Sequence, residues 1–219
     1  MSPPLALVVA KAPVPGEAKT RLGKVVGAQR AAELAAAALL DTLQACVEAV
    51  GVDRCHLALA GGLATGARAE ELTEATRGWT IHPQRGDGFA ERLVHAHTDA
   101  AGGGAPVVQI GMDTPQVEPG QLREAMALLT TPDDAVLGPA YDGGWWLLGV
   151  GGPHLLAHLG DVPMSTGETC ARTRVVLARA GATISDVEVL RDIDEVADAD
   201  AVAALAPSTR FAREWTGTG

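Results

Sequence analysis

The chain has 219 residues and carries 17 basic against 27 acidic side chains, a formal charge of −10 at neutral pH. A surplus of that sign argues against a nucleic-acid polymer or an anionic membrane as partner, because both call for a basic face. The length suits one large α/β domain, and with only two Phe, one Tyr and four Trp its core must rest on Ala, Val and Leu.

Leu5 to Ala10 is a short apolar run that reads as a buried first strand. It is too short to span a bilayer or to serve as a signal segment, and no basic stretch precedes it. Cys46, Cys55 and Cys170 are odd in number and show neither C-x-x-C nor zinc spacing. They read as reduced core thiols of a cytoplasmic protein. After the first strand the chain becomes KAPVPGEAKTRL, which holds two prolines and a glycine and reads as a rigid basic loop. All the lysines of the protein, Lys11, Lys19 and Lys24, fall between residues 11 and 24, and every basic side chain outside Lys11 to Lys24 is arginine. A compact ammonium suits a phosphate oxygen, so a polyphosphate is the first ligand to place here. The alternative is a solvated turn. Neither a P-loop nor a dinucleotide fingerprint is present.

Ala28 to Val50 has the spacing of a long helix, stopped by Gly51. A strand over Arg54 to Ala60, a short polar helix over Ala67 to Thr76 and a strand over Trp79 to His82 follow. A helix from Asp87 or Gly88 to about Ala101 ends at Gly102 to Gly104. Pro106 to Gly111, PVVQIG, reads as a buried strand that delivers Asp113. Next come a helix over Gln121 to Leu129, a strand over Ala135 to Leu137, and Asp142 ahead of Gly143 and Gly144. Trp145 to Val150 reads as a strand paired antiparallel with a neighbour, with one tryptophan in the core and the other lining an acceptor pocket. His154 and His158 sit in an expected helix as structural histidines, as do His95 and His97. Ser165 to Glu168, STGE, fits a capping box opening a helix to about Ala180. The alternative there is an anion held at the helix N-terminus. A strand over Ala182 to Leu190 leads to Asp192 and Asp194 and a final helix, and from Pro207 the chain reads as a frayed tail. Strands alternating with helices imply a mostly parallel sheet covered on both faces, with ligands beyond the carboxyl ends of its strands. Lys11 and Asp113 both fall at those ends.

KAPVPGEAKTRL, GMDTP, GPAYDGGWWLLG, STGET and RDID occur in the order and spacing of the bacterial group described as DUF2064, glycosyltransferase-A-like transferases. The chain also resembles the 2-phospholactate/phosphoenolpyruvate guanylyltransferases of deazaflavin-cofactor biosynthesis, and the likeness covers about residues 5 to 205. It implies a single α/β domain of the GT-A-like, nucleotide-diphospho-sugar transferase fold over residues 1–206, with 207–219 as a C-terminal tail.

The resemblance further implies Mg2+ or Mn2+ held by Asp113, Asp192 and Asp194, the last two being spaced so that an extended backbone turns both to one side. Lys11, Lys19, Thr20 and Arg21 would grip the nucleotide's phosphates, and Lys11, Lys19, Arg21 and Asp113 would carry catalysis. Asp142, Gly143, Gly144, Ser165 and Thr166 would meet the acceptor. For Asp194 a helix N-cap role stands beside metal ligation, and Asp113 could instead be a turn residue. Met112, where related chains carry a small residue, and Glu195-Val196-Ala197, where they carry Thr-Pro-acid, depart from the pattern. The favoured function is nucleotidyl transfer from a nucleoside triphosphate to a small anionic acceptor with release of pyrophosphate. Glycosyl transfer from a nucleotide-sugar and non-catalytic nucleotide binding are the alternatives.

Overall fold

The structure, a computed structural model, describes residues 2–217. Strand β1 (Leu5–Lys11) leads to helices α1 (Thr20–Val26) and α2 (Ala28–Val50). Strand β2 (Cys55–Ala60), helix α3 (Ala69–Ala75), strand β3 (Thr80–Pro83), helix α4 (Phe89–Ala101) and strand β4 (Val107–Gly111) follow. The second half comprises α5 (Pro119–Ala127), β5 (Asp134–Pro139), β6 (Trp145–Val150), α6 (Thr169–Arg179), β7 (Thr183–Asp186), α7 (Val196–Leu205) and α8 (Arg210–Thr216). The strands form one sheet in the order β3-β2-β1-β4-β6-β5-β7, in which β6 runs antiparallel to both neighbours and the other pairings are parallel. This is the mostly parallel α/β sheet of a GT-A-like domain.

Alternation along β1 decides the layers. Ala6, Val8 and Ala10 face a core shared with Leu39, Leu43 and Leu122, whereas Leu7 and Val9 face one shared with Leu93, Leu148 and Leu177. Both sheet faces are therefore buried, which explains why β1 and β4 are apolar almost throughout. Helix α2 is buried nearly all round, because a second layer lies outside it. There Leu22, Leu34, Ile193, Val202 and Phe211 form a third core beneath α1, α7 and α8. No described helix is long and apolar enough to cross a membrane. The three thiols are free, and burial pushes that of Cys55 up to about 12.

Several elements differ from expectation. The segment read as loop up to Lys24 contains α1, whose Leu22 is buried against α2; the contact outweighs the weak local signal. His154 lies in a 3-10 turn, Pro153–Leu156, and His158 just precedes another, Leu159–Asp161, rather than both lying in a helix, since Gly152, Pro153 and Gly160 punctuate the segment. β7 is four residues long, and Leu190 returns only as an isolated bridge to Ala140. The segment from Pro207 is not frayed. Thr209 caps α8, the Asp41 carboxylate accepts from the Arg210 and Phe211 amides at 3.0 and 2.9 Å, and Phe211 is 1% exposed.

Candidate active site

The site lies where β1 and β4 end and β6 begins. Because β6 is antiparallel, its first residue and the hairpin from β5 share a rim with the carboxyl ends of the parallel strands. That inversion brings Asp142 to the rim where Asp113 already stands.

Asp113 follows β4, and Gly111 makes room for it: a Cβ there would sit 2.7 Å from Asp113 Oδ1. The Ile193 amide donates to the Asp113 carbonyl at 3.0 Å, and Gln116 Nε2 donates to the Arg191 carbonyl. These two bonds stitch the segment after β4 to the segment before α7, which places Asp192 and Asp194 beside Asp113. One carboxylate oxygen from each of the three lies within 4.8 Å of the others. An ion bound at about 2.1 to 2.5 Å can touch oxygens at that spacing, so the donor set fits a hard divalent cation.

Lys19 enters from the opposite wall. It adopts a left-handed conformation, φ 47°, at the start of α1. A non-glycine residue is uncommon there, and the turn aims its side chain inward. Lys19 Nζ lies 2.7 Å from Asp113 Oδ2 and 3.2 Å from Asp194 Oδ1, with its side chain 10% exposed. Burial alone would lower its pKa, but Asp113 and Asp194 outweigh that and raise it above the ordinary 10.5. Arg21 Nη1 holds the second oxygen of Asp194 at 3.1 Å. Asp192 lacks such a partner: burial, then the charges of Asp113 and Asp142, push its carboxyl up to about 6. Asp113, Asp142, Asp192 and Asp194 thus face Lys19 and Arg21, an excess of two negative charges that one divalent ion would cancel.

Two clefts meet at this cluster. One, of about 260 Å³, is lined by Lys11, Lys19, Thr20, Arg21 and Met112 and shares Asp113 and Asp194 with the other. Lys11 does not reach the carboxylates; its Nζ lies 3.3 Å from Glu17 Oε2, and its amide points at Met112 Sδ. The second cleft, of about 270 Å³, lies beyond the carboxylates and includes Asp142, Gly144, Ser165, Gln109, Trp145 and Phe89. A larger open groove of about 720 Å³ runs between α2, α5 and the α7–α8 connection, away from the carboxylates.

The remaining expected residues are divided by the geometry. Asp142 Oδ1 accepts from the Gly144 amide at 2.7 Å, shaping the hairpin. Gly143, φ 87°, does not line the cleft: a Cβ there would sit 2.2 Å from the Gly167 carbonyl oxygen, so it forms the seam between hairpin and the loop before α6. Thr166 is exposed and bonds to Thr169 rather than lining the cleft. The capping box expected at Ser165 to Glu168 is absent; α6 starts at Thr169, Ser165 has φ 58°, and Glu168 instead pairs with Arg172. Asp194 does not cap α7, because Glu195 and Asp198 form a reciprocal box there. Trp146 is buried with its indole N–H on the Glu188 carbonyl, while Trp145 is half-buried and donates to Thr173. Gln109 and Phe89 were not foreseen. The signal for Gln109 was its amide in an otherwise apolar strand.

Fold and site together define a GT-A-like domain of the kind that nucleotidyl and nucleotide-sugar transferases share. The chain belongs to the family described as "Uncharacterized protein conserved in bacteria (DUF2064)", whose model matches residues 42–166. No curated protein matches. Among solved structures, a candidate nucleotide-diphospho-sugar transferase from Desulfovibrio desulfuricans is similar at 29% identity and TM-score 0.79, over 97% of this chain and 91% of that one. A Methanothermobacter nucleotidyl transferase gives 20% identity and TM-score 0.64 over 95% and 100%. A Mycobacterium tuberculosis protein in complex with manganese gives 19% and 0.52 over 92% and 98%. The last two likenesses speak for the fold.

Proposed function

We propose that this protein is a divalent-metal-dependent nucleotidyl transferase acting on a small acceptor. The observation that carries the reading is Lys19, turned left-handed into a three-carboxylate cluster at the junction of two clefts. The cleft with Lys11, Thr20 and Arg21 takes the triphosphate, and the cleft beyond Asp113 takes the acceptor. Asp113, Asp192 and Asp194 would hold Mg2+ or Mn2+, which supplies charge neutralisation and a fixed phosphate geometry. An acceptor oxygen attacks the α-phosphorus, the bond from that phosphorus to the bridging oxygen breaks, and pyrophosphate leaves with the electron pair. Lys19 and Arg21 stabilise the charge that grows on the transferring and leaving oxygens. Where the acceptor is a hydroxyl, its proton passes to Asp142, the cleft carboxylate outside the metal set. The single domain acts as one unit, with α8 closing its outer layer.

A second reading, glycosyl transfer from a nucleotide-sugar with a nucleoside diphosphate leaving, draws support from the printed description of the Desulfovibrio protein. Thermal melting against nucleoside triphosphates and nucleotide-sugars, each with and without Mg2+ or Mn2+, separates the two. A donor at about 100 times its dissociation constant adds roughly 2.7 kcal/mol, or about 5 to 11 °C for a domain of this size. A metal-dependent shift with one triphosphate, lost in Asp113→Asn, supports nucleotidyl transfer. A shift confined to nucleotide-sugars supports the second reading, and metal-independent binding unaffected by Asp113→Asn overturns both.

A further inference from the structure

The acceptor cleft has a feature that neither phosphate binding nor metal binding uses. Its floor is Gln109, on β4, which is 3% exposed and whose Oε1 has no hydrogen-bond partner. Behind Gln109 stands His97 of α4, 1% exposed, whose ring faces the Gln109 carboxamide and is its one side-chain partner. Buried polar atoms are nearly always satisfied, and His97 can take one end of the carboxamide only, so the other end, at the floor of an open cleft, points to a ligand. A carboxamide can turn end for end, with His97 as neutral imidazole able to meet either end. It therefore offers the cleft a donor or an acceptor, and a hydroxyl answers both.

The walls restrict the ligand further. Four carboxylates line the cleft against one guanidinium, and Arg21 is already engaged by Asp194. A divalent ion on Asp113, Asp192 and Asp194 would cancel the excess of two negative charges without reversing it, so an anionic acceptor, the class expected from the sequence, would meet Asp142 and find no free lysine or arginine in the lining. Phe89 stands at the mouth, 49% exposed, with Trp145 and Met164 on the walls. Aromatic faces suit the C–H face of a ring, and carboxylates suit hydroxyl donors. The volume of about 270 Å³ equals that of about nine liquid waters, enough for one small ring.

We infer that this cleft binds an uncharged, ring-shaped polyhydroxy molecule, with Gln109 reading one of its hydroxyls and Phe89 covering its apolar face. This deepens the transferase reading by giving the acceptor its chemistry, and Gln109 is a specificity-determining residue in it. A site built around a hydroxyl rejects analogues lacking it far more strongly than an apolar wall rejects an extra methylene.

The test is saturation-transfer NMR and calorimetry on the full chain with Mg2+. The probes are glucose and myo-inositol, set against glucose 1-phosphate and glucuronate as charged counterparts. At least one neutral probe should bind, and each charged one at least tenfold more weakly. Gln109→Met, whose fold is checked by circular dichroism, should weaken the neutral probe tenfold or more and leave triphosphate binding within twofold. Phe89→Ala, at a half-exposed position that cannot unfold the core, should weaken it severalfold. No binding by either neutral probe, tighter binding of any charged counterpart, or neutral binding indifferent to both substitutions would overturn the inference. Triphosphate binding is measured separately: if it is absent while the neutral probe binds through Gln109, the nucleotidyl reading falls and this one stands.

Discussion

Lys19→Met tests the centre of the site because Lys19 bridges two carboxylates, Asp113 and Asp194. Its ammonium lies 2.7 and 3.2 Å from Asp113 and Asp194, and only a tenth of the side chain meets solvent. Methionine keeps the length of the stem and removes the charge. Deleting one partner of a buried ion pair costs about 3 to 5 kcal/mol, but Asp113 and Asp194 are 30% and 40% exposed, so screening reduces this to about 2 to 3 kcal/mol. For a domain of this size that lowers Tm by about 4 to 12 °C. The excess negative charge of the cluster meanwhile rises from two to three, so a divalent ion gains affinity. Melting by circular dichroism, first with chelator and then along a Mn2+ titration, reads both effects. The variant should start well below the parent and recover more with Mn2+ than the parent does. A variant that melts within a degree of the parent and shows the same Mn2+ shift would refute the reasoning, whatever its turnover.

Phe211→Ala should cost about 3 to 5 kcal/mol, read by urea denaturation, because Phe211 fills the third core together with Leu34 and Val202; a cost under 1 kcal/mol would mean that α8 does not stabilise the domain. His97 gives a pH dependence. Burial lowers its pKa from 6.5 to about 4, so between those values the unfolded chain binds more protons than the folded one. The stabilising contribution of the neutral ring is complete above pH 6.5 and falls as the pH drops towards 4, by about 3 kcal/mol in all. His97→Phe should flatten that slope in denaturant midpoints taken from pH 7 to 4.5, and an unchanged slope would assign it to other groups.

Most of the frame was legible because the strongest local signals coincide with it. The α2 span matches the expected Ala28 to Val50, since its alanine and leucine spacing is bounded by Gly27 and Gly51. β6 and its antiparallel pairing follow from the Gly143-Gly144 turn ahead of an apolar run. Residues governed by contacts distant in sequence were harder to place. α8 looks polar and short until Asp41, far earlier in the chain, is seen to hold its first amides. The STGE box was a local match overridden by the packing of Gly167 on Gly143. In the site, the convergence of Lys19, Asp113, Asp192 and Asp194 was expected from the order of the motifs. What could not be read was that Lys11 pairs with Glu17, or that the cleft beyond Asp113 is mainly acidic.

The bond from the Ile193 amide to the Asp113 carbonyl has a mechanical consequence. It yokes the two acidic segments, so Asp113, Asp192 and Asp194 form a fixed anvil. Lys19 comes from residues 14–19, where the amides of Glu17 and Ala18 both bond back to the Val14 carbonyl. That turn is folded on itself, and its tip is joined to the anvil through a side chain. A ligand that parts Lys19 from the carboxylates would therefore displace one jaw, the lysine arm, while the other keeps its register.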